Sequence, residues 1–256
     1  VSDAPDRYMT LRRNITVIML LVTILPLGIM AGINHFQYQK SIKNEVIEPL
    51  RLLLNKTRHS FQLFLEERLS TVRFVSTAYS FEQLVDEQTL GRVFRVLKEE
   101  FSGFVDIGLI DSSGAQISYA GPYNLLGKDY SGQGWFQEVV IRDTYISDVF
   151  TGYRKLPHIA IAVQRMEETG DNWILRATID THVFYELISA MGLDPEADAF
   201  IVNQAGVLQT RSRLYGDLLE NIPFDLSAQT YGPHVIETVD PKGREVMIAY
   251  VGLEKP

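Results

Sequence analysis

The sequence predicts an α+β protein: one membrane-spanning helix, a long amphipathic stalk helix, and two antiparallel-sheet modules in tandem. Three observations predict it. Residues 15–33, ITVIMLLVTILPLGIMAGI, carry no charge. Residues 34–80 place apolar side chains at steps of three and four, with no glycine and one proline. A hairpin pattern near residue 110 returns near residue 205.

Composition narrows the class before any element is placed. Apolar residues at 46% and aromatics at 11% are enough to build cores, so a disordered chain is excluded. Lys plus Arg at 24 against Asp plus Glu at 32 gives −8, and that acidic balance argues against a nucleic-acid partner. With no cysteine there is neither a disulfide framework nor a thiolate metal site.

The first element is the apolar segment. At ~1.5 Å per residue it reaches about 28 Å, close to the hydrocarbon thickness of a bilayer. Arg7, Arg12 and Arg13 precede it, so residues 1–14 are expected in the cytoplasm and the remainder outside. A cleaved signal peptide shares the basic start, but its apolar core is shorter and the exit, MAGINHFQYQ, lacks a small-x-small site. Pro26 is tolerable within a membrane helix, and Gly28 with Gly32 gives a spacing that permits close helix–helix approach.

The second element, residues 34–80, is expected to be one helix of about 70 Å at ~1.5 Å per residue. Ile42, Val46, Leu50, Leu53, Leu54, Phe61, Phe64, Leu65, Leu69, Val72 and Val75 form its stripe. Pro49 is expected to bend it near the membrane without ending it. The stripe is expected to pair with a second copy of the chain.

The distal module is expected over residues 81–191. A helix is predicted over 81–100, strands over 104–111 (FVDIGLID) and 115–121, joined by the turn Ser112-Ser113-Gly114. A loop and short helix around Trp135 follow, then strands over 144–150, 157–166 and 172–180 and a helix over 181–191. These are five antiparallel strands with helices to one side. The proximal module, residues 192–256, restarts the plan with strands over 198–204, 207–213, 234–240 and 244–252. It runs one strand short at Pro256, so the sequence is expected to be a fragment of a longer receptor.

These motifs together resemble the double Cache family, PAS-like sensor domains of bacterial transmembrane receptors. The stretches that carry the likeness are GLIDSSGAQISYAGPY, DYSGQGWF, YISDVFTGY, the strand ending LRATID, and DAFIVNQAGVLQTRSR. The likeness covers about residues 34–256. It implies an extracytoplasmic sensor of small molecules, anchored in the bacterial inner membrane and homodimeric through its stalk and membrane helices. The implied output is a two-component sensor histidine kinase; the alternatives are a chemoreceptor or a cyclic-dinucleotide enzyme. It also implies that the distal module holds the ligand. The amino-acid-binding subset of the family has an Arg two residues before the Trp, where this chain has Gln133, and an Asp where this chain has Asp180. Loss of the arginine argues against an ordinary α-amino acid unless Arg154 or His158 replaces it.

The expected ligand is small, polar and carboxylate-bearing, held by residues drawn from Gln133, Trp135, Tyr145, Asp148, Arg154, His158 and Asp180. Each has a structural role in competition. Trp135 is core material, Asp148 a turn cap, Arg154 part of a solvated charge run, His158 an edge histidine, and Asp180 a helix cap. Tyr145 and Asp148, three apart, share a pocket only if their strand bends. No cofactor or metal is expected, since the five histidines show no ligand spacing and the acidic run 194–198 lacks the calcium-loop pattern. GxSxG, HExxH and phosphate-loop motifs are missing, so a membrane-anchored extracytoplasmic enzyme, or an adaptor, is the reading from outside the class.

Overall fold

The structure is a computed structural model; it describes residues 4–167, 172–226 and 232–256. The chain divides into two compact units, 1–52 and 53–256.

The first unit carries helix α1, Ala4–Ile42, and a π-helical turn, Lys43–Ile47. Its apolar stretch Arg12–Tyr38 is long and apolar enough to cross a membrane, and none of it is buried within the chain. Pro26 lies inside α1 without ending it. Helix α2, Glu48–Ala78, begins in this unit. Pro49 has no N–H for the carbonyl four residues back, and the widened turn falls on the residues just before it. The expected bend is therefore a π turn and not a break at the proline itself.

In the second unit, α2 turns Phe61, Phe64, Leu65, Leu69, Val72 and Val75 into the core. The part of the stripe from Phe61 onward, expected to meet a second chain, is thus buried within this one. The single helix expected over 81–100 is two, α3 Phe81–Val85 and α4 Glu87–Glu100. Asp86 separates them because its Oδ2 accepts from Thr89 N at 3.0 Å and starts a new helix. Ser80 and Gln83 bond each other's backbone in a capping box that opens α3.

Strands β1 Phe104–Asp111, β2 Gln116–Ala120, β3 Thr144–Ile146, β4 Phe150–Thr151, β5 Pro157–Met166 and β6 Asn172–Asp180 form one antiparallel sheet. Its order is β2-β1-β6-β5-β3, with β4 also paired to β5. The strand expected over 144–150 is interrupted. Ser147 N still donates to Ala160 O at 2.9 Å, but Ser147 Oγ accepts from Ala160 N at 2.9 Å and donates to Asp148 O at 2.7 Å, so a side chain takes the second ladder bond there.

Strands β1, β5 and β6 are buried on both faces. Helices α2–α4 cover one face through Ile107, Leu109, Ile161, Leu175 and Ile179. Helix α5, Gly134–Arg142, covers the other with Trp135, Phe136 and Val139 against Ile110, Ala160, Ala162 and Ile174. Helices therefore lie on both faces, a correction to the one-sided layer. That follows from the continuous apolar runs of the central strands.

Helix α6, His182–Ser189, follows β6, and strands β7 His234–Val239 and β8 Glu245–Tyr250 form a separate two-stranded sheet. The strands expected over 198–204 and 207–213 reduce to a bridge between Val202 and Leu208. Backbone groups there turn to other partners: Ile201 N bonds Thr210 Oγ1 and Leu208 N bonds Glu220 O.

Candidate functional site

The α5-covered face of the sheet carries two charged side chains, Asp106 and Arg176, where the strand pattern alone would place hydrocarbon, and a third, Arg154, joins them from a loop. Asp106, Gly108 and Ile110 alternate onto that face from β1. In register, Asp106 faces Thr178 and Gly108 faces Arg176 on β6, while Ala160 and Ala162 oppose the same two residues from β5. Small neighbours on both sides leave room for the Arg176 guanidinium.

Asp106 and Thr178 are wholly buried, and Arg176 is nearly so. Asp106 Oδ1 accepts from Arg176 Nη2 at 2.8 Å and from Thr178 Oγ1 at 2.6 Å. Its Oδ2 accepts from Arg154 Nη1 at 3.2 Å, and the Arg154 side chain is 4% exposed. Arg154 reaches the sheet from the loop between β4 and β5. Such a pair is costly to bury and is held only by complete hydrogen bonding of the carboxylate.

Aromatic rings surround the charges. Arg176 lies 4.9 Å from the Tyr130 ring and also donates to its hydroxyl at 3.0 Å. Arg154 lies 5.0 Å from the Tyr123 ring. Trp135 and Tyr153 meet Tyr130 at 5.4 and 5.3 Å between centroids. Burial first, and then the Asp106 charge, push the Tyr119 hydroxyl up to about 12, so it stays protonated. His158 is pulled down to about 4, mainly by burial and further by Arg154 and Arg176; a contact to Leu156 O opposes the shift. The imidazole is neutral near pH 7, and its Nδ1 donates to Leu156 O at 2.7 Å.

Of the residues singled out in the sequence, the structure brings Arg154, His158, Trp135 and Tyr145 to this face. Tyr145 pairs with Ala162 and packs with the Trp135 cluster. Gln133 begins α5 and makes no side-chain cap. Asp148 sits in the break between β3 and β4 and turns toward the C-terminal segment, where it bonds Asn203 Nδ2 at 3.1 Å and Lys255 Nζ. Asp180 follows Arg176 and Thr178 on the same face of β6, in register with His158, but is exposed at the strand's end, where it accepts from His182 N at 2.9 Å. Asp106, Arg176, Thr178 and Tyr130 were not singled out. The signal for two of them is in the sequence: an acid in the interior of FVDIGLID and a base in the interior of NWILRATID, each flanked on both sides by apolar residues.

A separate cavity of about 270 Å³ lies between Leu214, Tyr215, Pro223 and the turn at Asp240. The Asp240 carboxylate is already saturated by Lys242 N, Arg244 N and the Arg244 guanidinium.

Neither a family model nor a curated protein sequence matches the chain. Solved structures do. An extracellular ligand binding receptor from Desulfohalobium retbaense aligns at TM-score 0.64 and 14% identity, over 79% of this chain and 37% of that one. The extracellular domain of rpHK1S-Z16, named as a histidine kinase, aligns at 0.60 and 14%, over 87% and 92%. The ligand-binding domain of the Pseudomonas aeruginosa amino acid chemoreceptor PctC, in complex with GABA, aligns at 0.54 and 19%, over 74% and 86%. That of the Campylobacter jejuni chemoreceptor Tlp3, in complex with L-valine, aligns at 0.52 and 13%, over 66% and 72%. The chain spans about a third of the Desulfohalobium receptor's length. It has the fold of extracytoplasmic sensor domains, as the Cache resemblance implied.

Proposed function

We propose that this chain is the sensory part of a membrane-anchored receptor and closes on a small carboxylate-bearing molecule at the Asp106–Arg154–Arg176 cluster. The observation that carries the reading is the cluster itself: two guanidiniums against one carboxylate, buried on an aromatic-walled sheet face. Pockets that recognise small polar molecules combine apolar walls with a few convergent polar groups. The PctC and Tlp3 domains were solved with GABA and L-valine, each of which bears a carboxylate.

In this reading residues 15–33 cross the bacterial inner membrane, 34–80 form the stalk, 81–191 the ligand module and 192–256 the membrane-proximal module. The output is a histidine kinase, supported by the near-complete mutual coverage with the rpHK1S-Z16 domain. A chemoreceptor output is favoured by the PctC and Tlp3 likenesses instead. The receptor acts as a homodimer. Leu63 and Phe74, 51% and 69% exposed and three turns apart on one face of α2, suit a partner helix.

A thermal-shift screen of small carboxylates on the intact protein in detergent tests the site. A stabilising compound should lose its effect in Arg154→Gln and keep it in Asp180→Ala. Loss in Asp180→Ala with retention in Arg154→Gln would refute the placement.

A further inference from the structure

The chemistry of the cluster also says which carboxylates it takes, given that it is the ligand site. Both oxygens of Asp106 are engaged: Oδ1 by Arg176 and Thr178, Oδ2 by Arg154. The other acids near this face lie outside the buried cluster: Asp148 holds Asn203 and Lys255, while Asp180 and Asp129 are exposed and each accept a backbone N–H through one oxygen, from His182 and Ser131. Within the buried cluster a ligand ammonium would find both oxygens of Asp106 taken and would stand beside two guanidiniums. Burying an unpaired cation is strongly unfavourable.

Donors are in surplus instead. Arg154 Nε, Arg176 Nε and Trp135 Nε1 are buried N–H groups with no hydrogen-bond partner, and the Gln116 amide is likewise unpartnered. Gln116 stands over Gly108, beside the register position of Arg176. Arg176, Trp135 and Gln116 are each at most 5% exposed. Two guanidiniums less one carboxylate leave a single positive charge, and the remaining groups do not change it. We infer that the site takes an organic acid without an ammonium group: a carboxylate received by the free N–H donors of Arg154 and Arg176, its hydrocarbon part against Trp135 and Tyr130.

Matched pairs that differ only in the amino group test this. The intact protein is titrated with propionate and alanine, butyrate and 2-aminobutyrate, 3-methylbutanoate and valine, succinate and aspartate, with melting temperature and calorimetry as readouts. At least one acid should bind, and its amino counterpart should bind about tenfold or more weakly. Binding of that acid should be lost in Arg154→Gln, a loop residue whose variant keeps both strands intact; circular dichroism checks its fold. An amino acid that binds as tightly as its partner, and is lost in Arg154→Gln, overturns the ligand class and leaves the site standing. Binding unchanged in both Arg154→Gln and Arg176→Gln overturns the site itself. Silence of every acid in the panel also overturns the ligand class, while the broader carboxylate screen still reports on the site.

Discussion

At the scale of single residues, Asp106 has the largest energetic consequence. Removing its charge strands two guanidiniums in a dry environment, a loss of about 3–5 kcal/mol for a broken buried pair. Asp106→Asn should therefore lower the urea midpoint sharply, whereas Asp180→Ala, at an exposed position, should change stability by less than about 1 kcal/mol. His158 makes a pH prediction. Its folded value is about 4 against an ordinary 6.5, so the unfolded chain takes up the proton first as pH falls. Stability contributed by the neutral ring is present above pH 6.5 and lost between 6.5 and about 4, on the order of 2 kcal/mol after screening. Urea denaturation across that range should show a shallower loss in His158→Gln. Arg154 is legible because it sits in a polar loop, and His158 because it opens a strand beside Pro157, where a polar side chain draws notice. Asp106 and Arg176 were hidden by strand periodicity, which reads each strand alone; their pairing exists only once β1 and β6 are in register.

At the scale of elements, one turn is used three times. Asp111, Asn203 and Asp240 each accept, through one side-chain oxygen, from the backbone two and four residues on. In each, the residue three on is a glycine at positive φ: Gly114, Gly206 and Gly243. The repeated spacing in the sequence was thus a repeat of turns as much as of strands. The strands expected around the second turn shrink to one bridge, since that turn forms without the ladder that follows the first. A Cβ at Gly114 would press on Ser131 N at 2.7 Å, whereas at Gly243 it would meet open space. Gly243→Ala should therefore cost about 1 kcal/mol for its φ alone, and Gly114→Ala clearly more, by thermal denaturation. Strands β1, β5 and β6 were read to the residue because apolar runs bounded by turns mark them on both sides. The split at Asp86 and the break at Ser147 were missed, since a single side-chain hydrogen bond decides each.

At the scale of the whole molecule, the order of elements was legible: an uncharged span, a helical stripe, then antiparallel strands. Which chain the stripe serves was not, because burial of Phe61 to Val75 depends on a sheet that follows later in the sequence. The exposed pair Leu63 and Phe74 gives the dimer reading its own test. Phe74→Glu should abolish crosslinking between full-length copies without altering the melting temperature. Hydrogen–deuterium exchange on the intact protein tests most directly whether the chain closes on a ligand at the Asp106–Arg154–Arg176 cluster. With the tightest-binding acid of the titration present, protection should rise over residues 121–135 and 150–156, the loops that carry Tyr123, Tyr130, Tyr153 and Arg154. Protection confined to residues 214–223 and 240–242, with those loops unchanged, would contradict it.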